Sequence, residues 1–371
     1  MPVENVPDHI RAAAAGQWTA IGENTLASVA FQYDAVPAGY VTNLNGIMTA
    51  WSGGTYDPVR HKLYVNGGGH NDYDGSEFYA FNLATNTWSR INDPTLLDPD
   101  PSTYPTNVFP NGVPFPIHTY DTLSVNPRSG KVYRLGVGGS SINAVYEFDP
   151  SRASGSSPAP WARKATLDHP DPHSGASAWM EDEGKFLVAN QDFGTWLYLR
   201  RYDPSSNAFG PPINTDVFFS GDTSMAYSPT RHLAVLHHTQ ASSNTWIVLN
   251  TASNTVSIRT ISGAALPNRA SVEYDTRRDH FVVYSDEATD RRVLYSVDPS
   301  TWSATKISPA GASINAPPGS PYNGIYGRFA YCEDYDIFIA VNSVNGRVYI
   351  YKPLDWAGSL PANTAETPDS P

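Results

Sequence analysis

Eleven residues spread over this chain have side chains suited to proton transfer and to handling a charged or hydroxylated ligand: His70, Asn71, His118, Tyr120, His173, Asp222, His237, His238, Arg269, Tyr326 and Arg328. A neutral imidazole, with an ordinary pKa of about 6.5, takes up a proton at neutral pH, and this suits His118 or His173 to the part of a general base, with His70 a further catalytic candidate. A phenol donates a proton to a departing oxygen, or accepts one where nearby cations lower its pKa, which suits Tyr120 or Tyr326. A guanidinium neutralises a carboxylate and stabilises an enolate-like transition state beside it, the role open to Arg269 or Arg328. Asn71, Asp222, His237 and His238 complete the set as ligand-binding groups. Together these types fit removal of the C5 proton of a uronic acid and expulsion of its O4 substituent, a β-elimination that requires no cofactor. The histidines could instead hold Zn²⁺ or Mn²⁺, although no H-x-H or H-E-x-x-H spacing fixes a ligand set and the metal ligands stay unknown. A hydrolase would need two carboxylates about a sugar bond, for which Asp72, Asp74 and Asp222 are available.

These residues are far apart in sequence, and a repeat is what brings them together. Six copies of one pattern start with a small or apolar strand and a turn: Ala50–Pro58, Thr122–Pro127, Ala176–Asp182, Ser224–Pro229, Ala270–Thr276 and Phe329–Asp334. A second apolar strand follows each, as in Lys62–Val65, Lys131–Leu135 and His280–Tyr284, and then a third strand and an Asn- or Asp-containing turn. A repeat of roughly 45–50 residues built of four short strands predicts an all-β chain forming a single β-propeller, with one blade per repeat. Six blades are favoured, with seven if residues 22–45 add strands of their own. Gln17–Ile21 resembles the outer-strand segment Thr87–Ile91 and is expected to complete the last blade and close the ring. The expected organisation is a lead at 1–16, the propeller at 17–356 and a Pro-rich polar tail at 357–371.

Strand starts and the ends of second strands lie on one face of a propeller. His70, His118, His173, His237 and His238 are therefore expected on that face, with Asp222, Arg269, Tyr326 and Arg328 at matching inner positions. His61, His232 and His280 follow the first turn and are expected on the opposite face in structural roles. Three long connections, 22–44, 92–117 and 308–321, rise from the first face and suggest a walled pocket there. The glycine run Gly67–Gly69 is expected to serve positive φ or close backbone approach.

The bulk numbers narrow the classes further. Of 371 residues, 36 are acidic and 24 basic, and the net charge of −12 disfavours nucleic acid as a partner. No segment reaches the ~20 apolar residues of a membrane-spanning helix, so no membrane partner is expected. The single Cys332 excludes an internal disulfide and reads as a buried thiol. The first sixteen residues lack a basic region followed by an apolar run, so no secretory signal is expected; action outside a cell or on a particle stays open.

The run from Gly67 to Ile91, GGGHNDYDGSEFYAFNLATNTWSRI, resembles a kelch-type repeat in its glycines after the second strand and its outer-strand Trp88. The resemblance extends as repeats over 46–356 and implies a kelch-type propeller. Galactose oxidase, a kelch-propeller oxidase, needs copper and a Cys–Tyr cross-link, and Cys332 inside a late strand does not offer that setting. The site style also resembles propeller polysaccharide lyases of the ulvan and oligogalacturonate lyase families, which use His, Tyr and Arg on the channel face. That resemblance implies a polysaccharide lyase acting on an acidic polysaccharide or other glycan. The alternative is a propeller that binds a glycan or a protein without chemistry.

Overall fold

In a computed structural model the chain forms six antiparallel blades around a central axis; the structure describes residues 6–36, 39–69, 72–97, 108–135, 144–153, 160–166, 174–191, 196–218, 223–238, 244–310, 317–319 and 323–358. From the axis outward, blade 1 is Gly53–Asp57, Lys62–Asn66, Tyr79–Asn82 and Thr87–Arg90. Blade 2 is Leu123–Asn126, Lys131–Leu135, Ala144–Phe148 and Trp161–Thr166. Blade 3 runs Ser174–Met180, Lys185–Gln191 and Trp196–Asp203, and its third strand pairs with both Ala208–Phe209 and Ile213–Phe218. Blade 4 is Thr223–Ser228, Leu233–His238, Thr245–Asn250 and Thr255–Thr260. Blade 5 is Ser271–Asp275, His280–Tyr284, Leu294–Asp298 and Ser303–Ile307, with Ser262–Gly263 added in parallel outside.

Blade 6 takes three strands from the end of the chain, Phe329–Cys332, Ile337–Ala340 and Val348–Lys352, and its outer strand, Gln17–Ile21, from the beginning. The register runs from Gln17 opposite Lys352 to Ile21 opposite Val348. This is the expected closure, and it leaves residues 22–52 without strands among those described, so the blade count is six. Helix Asp8–Ala12, ahead of the closing strand, buries Ile10, and the Lys352 ammonium donates to the carbonyls of Arg11 and Ala13 at 2.9 Å each. The inner strands adjoin in chain order, with blade 6 returning to blade 1. Among the described residues no helix is long and apolar enough to cross a membrane.

Alternation along each strand sends side chains to both faces of a blade, so the core forms between blades. One apolar cluster fills each of the six interfaces, for example Leu187, Leu199, Met225, Leu236 and Ile247 between blades 3 and 4. Cys332 is buried in the cluster that joins blade 6 to blade 1.

The turn between first and second strands repeats in all six blades with one residue at positive φ: His61, Gly130, Gly184, His232, Asp279 and Asp336. Histidine, Asp and Asn tolerate that region better than bulky residues. His61 bonds Asp334, which also accepts from Tyr56, and His232 bonds Asp182 at 2.9 Å, which also accepts from Tyr227. Each such Tyr–Asp–His clip ties one blade to its neighbour on the face opposite the long connections. His280 opens its second strand nearby and bonds Ser296 at 2.7 Å.

Candidate functional site

Four large side chains stand just ahead of inner strands with left-handed backbone: Trp51 (φ 45°), Tyr120 (φ 45°), Arg269 (φ 48°) and Tyr326 (φ 46°). Each lies five residues before the same inner-strand position, held by Tyr56, Val125, Tyr274 and Tyr331. At about 1–2 kcal/mol each, the four conformations cost roughly 4–8 kcal/mol, a sum close to the whole stability of many domains. Strain of that size persists only where the surroundings enforce it, and here it recurs at one position just ahead of the inner strands of blades 1, 2, 5 and 6.

The connections that enforce it are built from the sequence outward. In the Pro-rich connection before blade 2, Phe109, Val113 and Phe115 form a small core against Trp161. The buried Arg134 guanidinium donates to the Phe115 carbonyl at 2.8 Å and lies over Tyr146; burial lowers its pKa to about 10. That anchors the chain three residues before His118. Next, the Thr119 hydroxyl bonds the Asn66 carbonyl at 3.0 Å and accepts from Gly53 N at 2.7 Å, while Tyr120 N donates to the Trp51 carbonyl at 2.7 Å. The mouths of blades 1 and 2 are therefore one hydrogen-bonded unit. The glycine run serves it: Gly67 and Gly68 have φ of 145° and 94°, and a Cβ on Gly69 would meet the Pro116 carbonyl at 2.1 Å.

His118 is buried, with its Nε2 at 2.9 Å from Asp72 Oδ2 and its ring 4.8 Å from the Trp51 ring at 36°. Tyr120 stands edge-on to it at 6.1 Å and edge-on to Tyr326 at 5.9 Å. Trp51, His118, Tyr120 and Tyr326 thus make a continuous aromatic lining, with Trp51, Tyr120 and Asp72 partly open to solvent and Tyr326 buried. Beneath Asp72, the carboxyl of Glu77 is buried and takes hydrogen bonds from Tyr73 and Tyr79; burial raises its pKa.

On the blade 5 side, Arg269 pairs with Glu287 at 3.1 Å, and Gly324 N reaches the same carboxylate at 3.4 Å. Among the described residues Glu287 is thus a carboxylate partner of Arg269. Arg328 is fully buried: its guanidinium donates to the carbonyls of Ser52 (2.8 Å), Gly324 (2.7 Å) and Val341 (2.9 Å), and to the Asn342 side chain. Burial lowers its pKa to about 10. These bonds hold the backbone beside Trp51 and Tyr326, so Arg328 acts under the lining and does not face the mouth. His237 is buried, and its Nδ1 accepts from Trp246 Nε1 at 3.0 Å. His238 ends its strand opposite Thr223. His70, Asn71, His173 and Asp222 lie outside the described residues.

Below the mouth, Asp121 crosses the axis. Its carboxylate accepts from Met225 N of blade 4 at 2.8 Å, and its carbonyl accepts from Ser177 N of blade 3 at 2.8 Å. Burial raises its pKa to about 6, against hydrogen bonds from Met225, Ser224 and Gly327 that lower it. Glu273 of blade 5, on the inner strand, is raised well above the carboxylate range, first by burial and then by the Asp121 charge.

The sequence reading named His118, Tyr120, Arg269 and Tyr326, and the structure brings these four to one mouth. It did not name Trp51 or Glu287. Trp51 was within reach, because it precedes Tyr56 by the same five residues that separate Arg269 from Tyr274; Glu287 carries no comparable signal. Chemically, the arrangement offers flat aromatic surface, an imidazole oriented by a carboxylate, a phenol and two partly exposed carboxylates. Among the described residues no three His, Cys, Asp or Glu side chains gather to hold a metal ion.

No family model matches this chain, and no curated protein matches it. Among solved structures it is similar to TolB from Acinetobacter baumannii, at 14% identity and a TM-score of 0.44, over 68% of this chain and 53% of that one. The chain thus spans about half the length of that protein. A likeness of that extent carries no argument about this chain.

Proposed function

We propose that the channel mouth over blades 1, 2 and 6 binds a glycan. The observation that carries this reading is the set of bulky aromatic residues at one blade position in left-handed backbone, with Trp51 and Tyr120 partly open. The C–H bonds of a sugar face carry slight positive charge and pack against the negative faces of such rings, while hydroxyls find Asp72 and the Tyr120 phenol. A kelch-type repeat agrees with the glycine run and the buried Trp88 of blade 1.

A second reading, β-elimination of a uronic-acid polymer, is favoured by the His118–Asp72 pair, which orients an imidazole beside the Tyr120 phenol. It comes second because Arg269, the group suited to neutralise a uronate, is engaged by Glu287, and Arg328 is enclosed.

The test is a panel of neutral, acidic and amine-bearing oligosaccharides titrated calorimetrically against the protein and its Trp51→Ala and Tyr120→Ala variants. Losing one stacking ring is expected to weaken binding by about 5–10-fold, from ~1 kcal/mol per ring. Binding by no oligosaccharide, or equal binding by all three proteins, would refute the reading. Growth of unsaturated-uronate absorbance, abolished in His118→Ala, would put the elimination reading first.

A further inference from the structure

The floor and the rim of the mouth decide which part of a glycan it takes. The floor is closed by backbone. A Cβ on Gly53 of blade 1 would meet the Tyr120 carbonyl at 2.0 Å, and one on Gly327 would meet the Gly54 carbonyl at 2.1 Å, so not even a methyl group fits between blades 1, 2 and 6 there. Asp121, next along from Tyr120, reaches the other side of the ring. Its carbonyl accepts from Ser177 N of blade 3 and its carboxylate from Met225 N of blade 4, each at 2.8 Å, and it also bonds the Gly327 backbone of blade 6. The Ser224 hydroxyl accepts in turn from Val272 N of blade 5 at 3.1 Å. Among the described residues these contacts close the axis beneath the lining, so a ligand leaves by the way it entered.

The rim is fastened from blade to blade. Glu287, in the blade 5 connection after the second strand, accepts from Gly324 N at 3.4 Å, and one residue earlier the Asn323 side chain donates to the Thr49 carbonyl. Tyr120 N then bonds the Trp51 carbonyl at 2.7 Å. The rim is therefore tied together from blade 5 through blades 6 and 1 to blade 2. Inside it the rings are turned against one another: Trp51 and His118 meet at 36°, His118 and Tyr120 at 83°, and Tyr120 and Tyr326 at 79°. A polymer lying flat across a protein needs rings that share one plane, so that the faces of successive sugars each find a surface. Rings set nearly at right angles make a corner instead. A corner encloses one sugar from two sides and gives the next sugars of the chain nothing to lie on.

We infer that the mouth receives the end of a glycan chain and not its interior, the terminal sugar resting against Trp51 and Tyr120 above the closed floor and the rest of the chain directed out to solvent. The inference rests on the glycan-binding reading above.

The experiment titrates full-length protein calorimetrically with three series of linear oligosaccharides, malto-oligosaccharides, oligogalacturonates and glucosamine oligomers, each as tetramer, hexamer and octamer. Each tetramer is also prepared with one end altered, either reduced to the alditol or O-methylated on the terminal 4-hydroxyl. In a series that binds, one protein is expected per chain at every length, with affinities within about twofold of one another. One of the two end alterations is expected to weaken binding by about 10-fold, since it removes hydrogen bonds at the terminal ring and spares the interior. Trp51→Ala and Tyr120→Ala are expected to shrink that ratio, and melting curves verify that both variants fold. Affinity that climbs several-fold with length, two or more proteins on one octamer, or indifference to both end alterations would overturn the inference and leave glycan binding standing. A ratio unchanged in both variants would place the chain end away from this mouth and overturn it as well. Binding of no sugar at any length would remove the glycan reading, and this inference with it.

Discussion

Replacing Asp121 with Asn should change how stability depends on pH, by an amount that follows from its place on the axis. Burial raises the carboxyl from its ordinary 3.8 to about 6. At ~1.4 kcal/mol for each tenfold change, that difference is a penalty of about 3 kcal/mol on the charged form. The sign follows from linkage. The folded state holds the proton more tightly than the unfolded chain, so this stability is fully present below the unfolded pKa and is lost as pH rises through about 6. Glu273 shifts in the same direction, and removing the Asp121 charge relieves one of its causes, so the two effects add. With ~2.1 cal/mol/K of unfolding entropy per residue over 371 residues, 1 kcal/mol moves the melting temperature by about 1.3 °C. Asp121→Asn should therefore gain about 4 °C on wild type between about pH 4 and about pH 8. The amide of the variant does not titrate, so whatever its contacts with Met225 and Gly327 cost is independent of pH and cancels in the comparison. Scanning fluorimetry at constant ionic strength measures it. Parallel melting curves for the two proteins, or a variant that gains stability on acidification instead, would refute the reasoning.

Two further outcomes follow from the ring and from its buried arginine. Deleting residues 1–21 should lower the melting temperature by more than about 10 °C, because it bares an edge of blade 6 and removes the buried Trp18 and Ile21; an unchanged calorimetric curve would show that the closing strand contributes nothing. Arg328→Met should cost roughly 3–5 kcal/mol by leaving the Ser52, Gly324 and Val341 carbonyls without their donor. It should also weaken glycan binding in the protein that remains folded, as measured by urea denaturation and calorimetry. Binding unaffected by a large stability loss would separate Arg328 from the mouth.

What the sequence disclosed and what it hid divide along physical lines. The blades were legible because apolar alternation and turn residues recur at fixed offsets, and Gln17–Ile21 could be matched to Thr87–Ile91 by type alone. The extra strands Ala208–Phe209 and Ser262–Gly263 were not, since a two-residue pairing leaves no periodicity. Left-handed backbone announces itself where Gly or Asn occupies it, as at Asn86, Asn207 and Asn254. At Trp51, Tyr120, Arg269 and Tyr326 it is imposed against intrinsic preference by neighbouring segments, and nothing local betrays it. Arg328 shows the same limit from the other side. An arginine beside an inner strand reads as a ligand contact, and only three converging carbonyls reveal it as part of the frame.

The closing strand also sets a clock. Ile21 faces Val348, 327 residues later, so at ~5–20 residues per second this strand waits about 16–65 s for its partner. Through that interval Trp18 has no Tyr351 to pack against, and blade 1 stands with no finished blade 6 beside it. Blades 1 to 5 can assemble as an open arc during synthesis, but the circle is completed only after residue 348 and the strand it opens have emerged. A nascent chain stalled before residue 348 would hold its N-terminal strand free, available to pair with the same unfinished edge on another copy.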